Sequence, residues 1–198
     1  MGEYPVSTLA PQAPIATPAE AGDRTARRVQ VLSLLSVVPL LAVFLFQHRA
    51  VFRAELLQAL PDATGQETAL GVWSALAAGV FFNLLVYTAM VFGLGALAAT
   101  ACRAAGATAG FRPLRQTLGA VLAAYFVLRT TVFVLLSCTG LAGRELLSWL
   151  PRPDPGLLAL AVLTTLVLRR RAPELGPVRT ALCALAPALL LGLLQAVL

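Results

Sequence analysis

At 198 residues the chain is 59% hydrophobic and only 12% charged, with a mean hydropathy of +0.83, whereas soluble domains are about one quarter charged. That balance excludes an ordinary soluble domain. The net charge of +6 comes from arginines alone, with no lysine, and they stand in small groups between apolar runs. This is the distribution of the positive-inside rule, so the charge is read as topology and not as a nucleic-acid footprint.

Met1–Asp23 holds Pro5, Pro11, Pro14 and Pro18 among small and polar residues, and this composition predicts a disordered tail over 1–23. Residues 24–198 read as one membrane domain. Arg24, Arg27 and Arg28 precede the first apolar run, Val29–Gln47. The long lead and the lack of an Ala-x-Ala site argue for an uncleaved first span and against a signal peptide. In the polar connection Gln47–Thr68, Phe52, Leu56 and Leu60 recur at spacing four, which predicts a short amphipathic helix over 50–60 at the interface.

Ala69–Ala101 runs 33 residues without a charge. As a helix it is about 50 Å long, more than one crossing and less than two with a turn. One tilted or projecting helix fits, with Trp73 at an interface. The connection Cys102–Gln116 carries Arg103, Arg112 and Arg115 and turns on Gly106, Gly110 and Pro113. Thr117–Cys138 returns as the third span and holds one charge, Arg129. An arginine at that depth costs about 2.5–3.5 kcal/mol, so its guanidinium must face protein or water. No acidic residue lies in any predicted span. Asn83, expected at matching depth, is therefore the predicted acceptor, with Tyr87, Tyr125 and Thr130 completing an intramembrane polar cluster.

Pro151, Pro153 and Pro155 interrupt the chain before Gly156–Leu168, a fourth span of only 13 apolar residues ended by Arg169, Arg170 and Arg171. Thr180–Leu198 is the fifth. On it Thr180, Ala184, Ala188, Gly192 and Ala196 recur every four residues, a small-residue stripe for close helix packing. The predicted fold is therefore an all-α, polytopic integral membrane bundle of five transmembrane helices. With a cytoplasmic N-terminus, inside segments hold ten arginines and outside segments four. The C-terminus then lies outside; a re-entrant 156–168 would bring it back inside.

The chain has one histidine, His48, and three cysteines, Cys102, Cys138 and Cys183, without metal-ligand spacing. No nucleophile elbow, zinc-protease motif or phosphate-cradling loop occurs. The expectation is no enzyme, no cofactor and no metal.

The order of features resembles the Yip-domain (Ypt-interacting protein) membrane family in its bacterial branch, and the all-arginine, Ala- and Leu-rich usage fits a GC-rich bacterial genome. A polar loop ending near Glu67–Thr68 leads into the long helix 69–101. The small-residue turn RAAGATAGFRPL, residues 103–114, is similar to the family's glycine turn and phenylalanine, and QTLGAVLAAYFVLR, residues 116–129, to its Leu…Ala-Tyr segment. The family commonly carries a proline late in that segment; here Arg129 stands near that place. The resemblance implies five spans, a cytosolic N-terminus and a non-enzymatic role; the expected location is the plasma membrane. The expected function is membrane organisation or scaffolding through helix packing, its partners being the lipid bilayer and a second copy or another membrane protein. The alternative is a small transporter or permease subunit with its site at Arg129 and Asn83.

Overall fold

The computed structural model describes residues 18–139 and 155–197, and these form helices and turns with no strand among them. In chain order the helices are α1 (Pro18–Gln47), α2 (Arg49–Ala59), α3 (Gly65–Ala104), α4 (Phe111–Ser137), α5 (Gly156–Arg171) and α6 (Pro177–Val197). The expected tail is corrected at its end, because residues 18–23 already belong to α1. Proline is well placed at the first helical position, where its missing N–H has no intrahelical partner, and the Ala-rich stretch after it favours helix. The rest of the predicted tail, and most of the predicted connection 139–155, lie outside the described residues.

The helix ends are chemically specified. Thr64 opens α3 with a capping box: its Oγ1 accepts from Glu67 N at 3.3 Å, while Glu67 Oε2 accepts from Thr64 N at 2.8 Å. At the far end Gly106 adopts φ 103°, and Ala107 N donates to Cys102 O while Gly106 N donates to Arg103 O. This double closure needs a left-handed residue just past the helix, which glycine supplies without strain.

Four helices are long and apolar enough to cross a membrane: Gly22–Gln47, Gly65–Ala104, Phe111–Ser137 and Pro177–Leu194. The fourth predicted span, Gly156–Leu168, lies in α5, which has 16 residues. At about 24 Å it falls short of the roughly 30 Å of a hydrocarbon core. It nevertheless lies in the bundle, with Leu160 and Ala161 in the same core as Val37, Tyr87, Leu122 and Leu191.

Helix α4 is the centre, packed on α1, α3 and α5. Its approach to α3 is backbone on backbone: a methyl group at Gly95 would lie 3.3 Å from Gly119 N. Tyr87 stacks on Phe126 with ring centroids 4.5 Å apart. These two contacts set an antiparallel register that brings Asn83 level with Thr130. Gln30, buried on α1, lies against Gly119 from the other side.

One end of the bundle gathers the α1 start, the α3–α4 turn and the α5–α6 turn. Thr108 donates from its N and Oγ1 to Glu174 Oε1 at 2.6 and 2.9 Å, and Arg179 Nη1 donates to Ala105 O at 3.0 Å. The Arg171 guanidinium lies against Gly22. At the opposite end Gln47 joins α1 to α4, accepting from Ser137 Oγ and donating to Cys138 Sγ at 3.5 Å. There α2 folds onto α3 with Leu56 against Gly71.

Candidate intramembrane polar site

Helix α4 carries the site because one broad face of it is turned inward: Leu122, Ala123, Tyr125, Phe126, Arg129, Thr130 and Phe133 are all buried. Arg129 sits about 12 Å from the Ser137 end of α4. It is 8% exposed, and its guanidinium carbon lies 5.4 Å from the Phe133 ring centroid, within cation–π range. It borders a cavity of about 270 Å³ shared with Tyr125, Leu128, Val132, Phe133, Leu136, Pro155 and Gly156. Among the described residues its walls are apolar apart from Arg129 and Tyr125, and the N-terminal end of α5 opens onto it. A cation and the positive end of a helix dipole thus face one space, and the chemistry suited to that space is an acceptor or an anion.

The predicted cluster is brought to one level, but Asn83 and Thr130 bond within their own helices. Asn83 is half-buried and its Nδ2 donates to Gly79 O of its own helix at 2.8 Å. The predicted Arg129–Asn83 bond is therefore corrected: it is not formed between these two residues. Thr130 Oγ1 likewise donates to Phe126 O at 2.7 Å. Both changes have one cause. In an apolar medium a side-chain donor takes the second lone pair of the backbone carbonyl one turn back on its own helix. Tyr87 packs its ring on Phe126, and Tyr125 is buried beside it at 5.5 Å from the same ring.

The small-residue stripe on α6 faces inward. Ala184 is fully buried with Ala98, Ala99 and Cys102 of α3; Ala188 is buried in the core that holds Tyr87 and Leu160. A methyl group at Gly192 would meet Leu157 Cδ1 of α5 at 3.2 Å, and Ala196 lies in the last turn of α6. The stripe joins α6 to α3 and α5 within one chain.

His48 is buried at the end of α1, its Nδ1 2.8 Å from Phe44 O and its ring 4.6 Å from that of Phe44. It closes a helix end. Among the described residues no group of three or more His, Cys, Asp or Glu side chains comes together as a metal site. Sequence reasoning missed Gln30, which lies against Gly119 and whose available signal was a polar residue inside an apolar run. It also missed Arg49 and Arg53 as a pair one turn apart on α2. No family model, curated protein or solved structure matches the chain.

Proposed function

We propose that this chain is a non-enzymatic five-span membrane protein of the Yip-domain type that organises membranes by lateral association with itself or with membrane-protein partners. The observation that carries the reading is α3. Only 17% of its most apolar window is buried within the chain, and its outward face presents Phe82, Leu85, Ala89 and a Gly93 with nothing within 4 Å of the Cβ position. With the α6 stripe spent internally, α3 is the surface left for a neighbour. The gathering of the arginine-bearing α1 start, α3–α4 turn and α5–α6 turn at one end supports an orientation with the N-terminus cytoplasmic and the C-terminus outside.

The test is cross-linking in native membranes from single cysteines at Gly93, Ala89 and Phe82 in a Cys-free background. A cross-linked second copy, or a discrete membrane-protein adduct, at these positions and not at Leu128 on α4 is expected. A chain that stays uncross-linked at all three positions overturns the association role.

The second reading, a transporter or permease subunit, is favoured by the buried Arg129 on the 270 Å³ cavity. Cysteine probes at Ala63, Gly106 and Ala172, labelled from each side, establish the topology on which both readings depend. Solute-dependent protection of Leu128→Cys from a thiol reagent would move transport to the front.

A further inference from the structure

At the end opposite the arginine-rich turns, two cavities join into one groove between α1, α2 and α3. The upper part, about 570 Å³, is roofed by Arg49 and Arg53 of α2 and walled by Thr68 and Val72 of α3. The lower part, about 640 Å³, continues between α1 and α3 past Val43, Leu45, Ala77 and Val80 and is almost purely apolar. Phe46, Gln47 and Trp73 border both. Phe46 and Trp73 stack at the junction with centroids 6.0 Å apart, the level at which amphipathic aromatic rings sit in a bilayer. From Trp73 to Val80 the trough descends about 10 Å along α3.

The polar groups around the upper part are accounted for, except the two cations. Gln47 is engaged with Ser137 and Cys138, and Thr68 Oγ1 donates to Thr64 O at 2.9 Å. Glu67, the nearest carboxylate in sequence on α3, is committed to the Thr64 cap. The Arg49 guanidinium is steadied over the Phe46 ring at 4.2 Å and donates one bond from Nη1 to Phe46 O at 3.1 Å, leaving further N–H groups of its fork. Arg53 follows four residues later, on the same face of α2. No carboxylate among the described residues pairs with either guanidinium.

We propose that this groove holds one anionic phospholipid, its phosphate between Arg49 and Arg53 and one acyl chain along the α1–α3 trough. The occupant follows from charge complementarity above and apolarity below: paired, uncompensated guanidinia fit a phosphodiester, and a wall of Val, Leu and Ala fits a hydrocarbon chain and no polar ligand. By the proposed orientation the lipid belongs to the outer leaflet. The inference rests on the membrane reading of α1 and α3 and not on any association role.

The experiment is native mass spectrometry of the full chain released from nanodiscs of equal phosphatidylglycerol and phosphatidylcholine. One retained phosphatidylglycerol is expected, favoured about tenfold, since each surface arginine contributes roughly a few-fold toward anionic lipid. Arg49→Gln with Arg53→Gln should abolish the headgroup preference, and Arg49→Lys with Arg53→Lys should keep most of it. Ala77→Trp, which fills the trough, should lose the adduct whatever its headgroup. Arg112→Gln with Arg115→Gln, at the other end, should change neither, and millimolar inorganic phosphate should not displace the adduct. Equal retention of both lipids by the wild-type chain, an unchanged preference in the Arg49/Arg53 glutamine variant, or displacement by phosphate overturns the proposal. A chain that does not enter the nanodisc overturns the membrane reading and this inference with it.

Discussion

Helices α3 and α4 are equally apolar over their best windows, yet 50% of that window is buried within the chain in α4 and 17% in α3. Apolarity places a helix in a bilayer; it does not say whether protein or lipid surrounds it. In lipid there is no hydrophobic gain from bringing two helices together, so close approach decides burial. Helix α4 has Gly119, Ala120 and Ala123 on its inward faces, and all are buried. Helix α3 meets it backbone to backbone at Gly95 and ring to ring at Tyr87, while its first half turns Leu70, Trp73, Phe81 and Phe82 outward.

The comparison is broken most severely by removing a ring from each helix. Phe126→Ala on α4 empties space beside Tyr87. In a soluble core such a change costs about 3–5 kcal/mol. Here lipid is as apolar as the core, so the transfer part shrinks and the lost packing remains; a destabilisation above about 1 kcal/mol is expected. Phe82→Ala on α3, 64% exposed, should stay within about 0.5 kcal/mol. Thermal unfolding of the two variants in one detergent is the measurement. Equal losses would mean that the association face of α3 stays covered even in detergent.

A pair of glycines on the same helix sharpens the point. Gly95→Leu drives a side chain into the backbone of α4 and should cost about 1–3 kcal/mol. Gly93→Leu points into open space and should leave stability unchanged or raise it slightly, because leucine favours helix by up to about 1 kcal/mol over glycine. Circular dichroism melts separate them. Loss of stability at Gly93 would mark a neighbour on that face.

The inner half of α3 is also held by α6, where the Cys102 and Cys183 side chains are buried in one apolar cluster. A membrane-permeant oxidant should join them in a single chain, with the 102–183 peptide pair recovered by mass spectrometry and no product with Cys138. Failure to link would place α6 elsewhere against α3.

Much of this architecture is legible from the sequence, and the parts that are not share a cause. The apolar runs, the amphipathic 50–60 segment and the arginine-bearing turns each correspond to α1–α6 and their connections, because length and local composition specify them. The Thr64–Glu67 capping box is also written in the sequence, as Thr-x-x-Glu before an apolar run. It is hidden in a segment that otherwise reads as loop. The polar site is less legible. Depth arithmetic brings Asn83 level with Arg129, but the Asn83 amide and the Thr130 hydroxyl each donate to a carbonyl of their own helix, and sequence spacing is blind to that competition. The stripe on α6 reads equally well as a surface for a neighbouring molecule or as a seam within the chain; only the placement of α3 and α5 distinguishes them.

The smallest expected effect concerns the arginine-rich end, where the α3–α4 turn is clasped by Glu174. Its own backbone N–H, then the N–H and hydroxyl of Thr108, hold the Glu174 carboxyl below the usual carboxylate range. A carboxylate whose value is lowered by folding adds stability that is fully present above the unfolded value, about 4.3. That contribution is lost as the pH falls through the lowered folded value. The clasp is solvent-exposed, so the effect is local and not global. Amide hydrogen exchange at Thr108 and Ala109, corrected for the intrinsic pH dependence, should show protection at pH 7 that declines below about pH 4. Glu174→Gln keeps an acceptor oxygen but no charge, and its protection should be weaker and flat over the same range. A wild-type turn whose protection does not depend on pH would mean that Arg179, donating to Ala105 O, holds this end without help from the carboxylate.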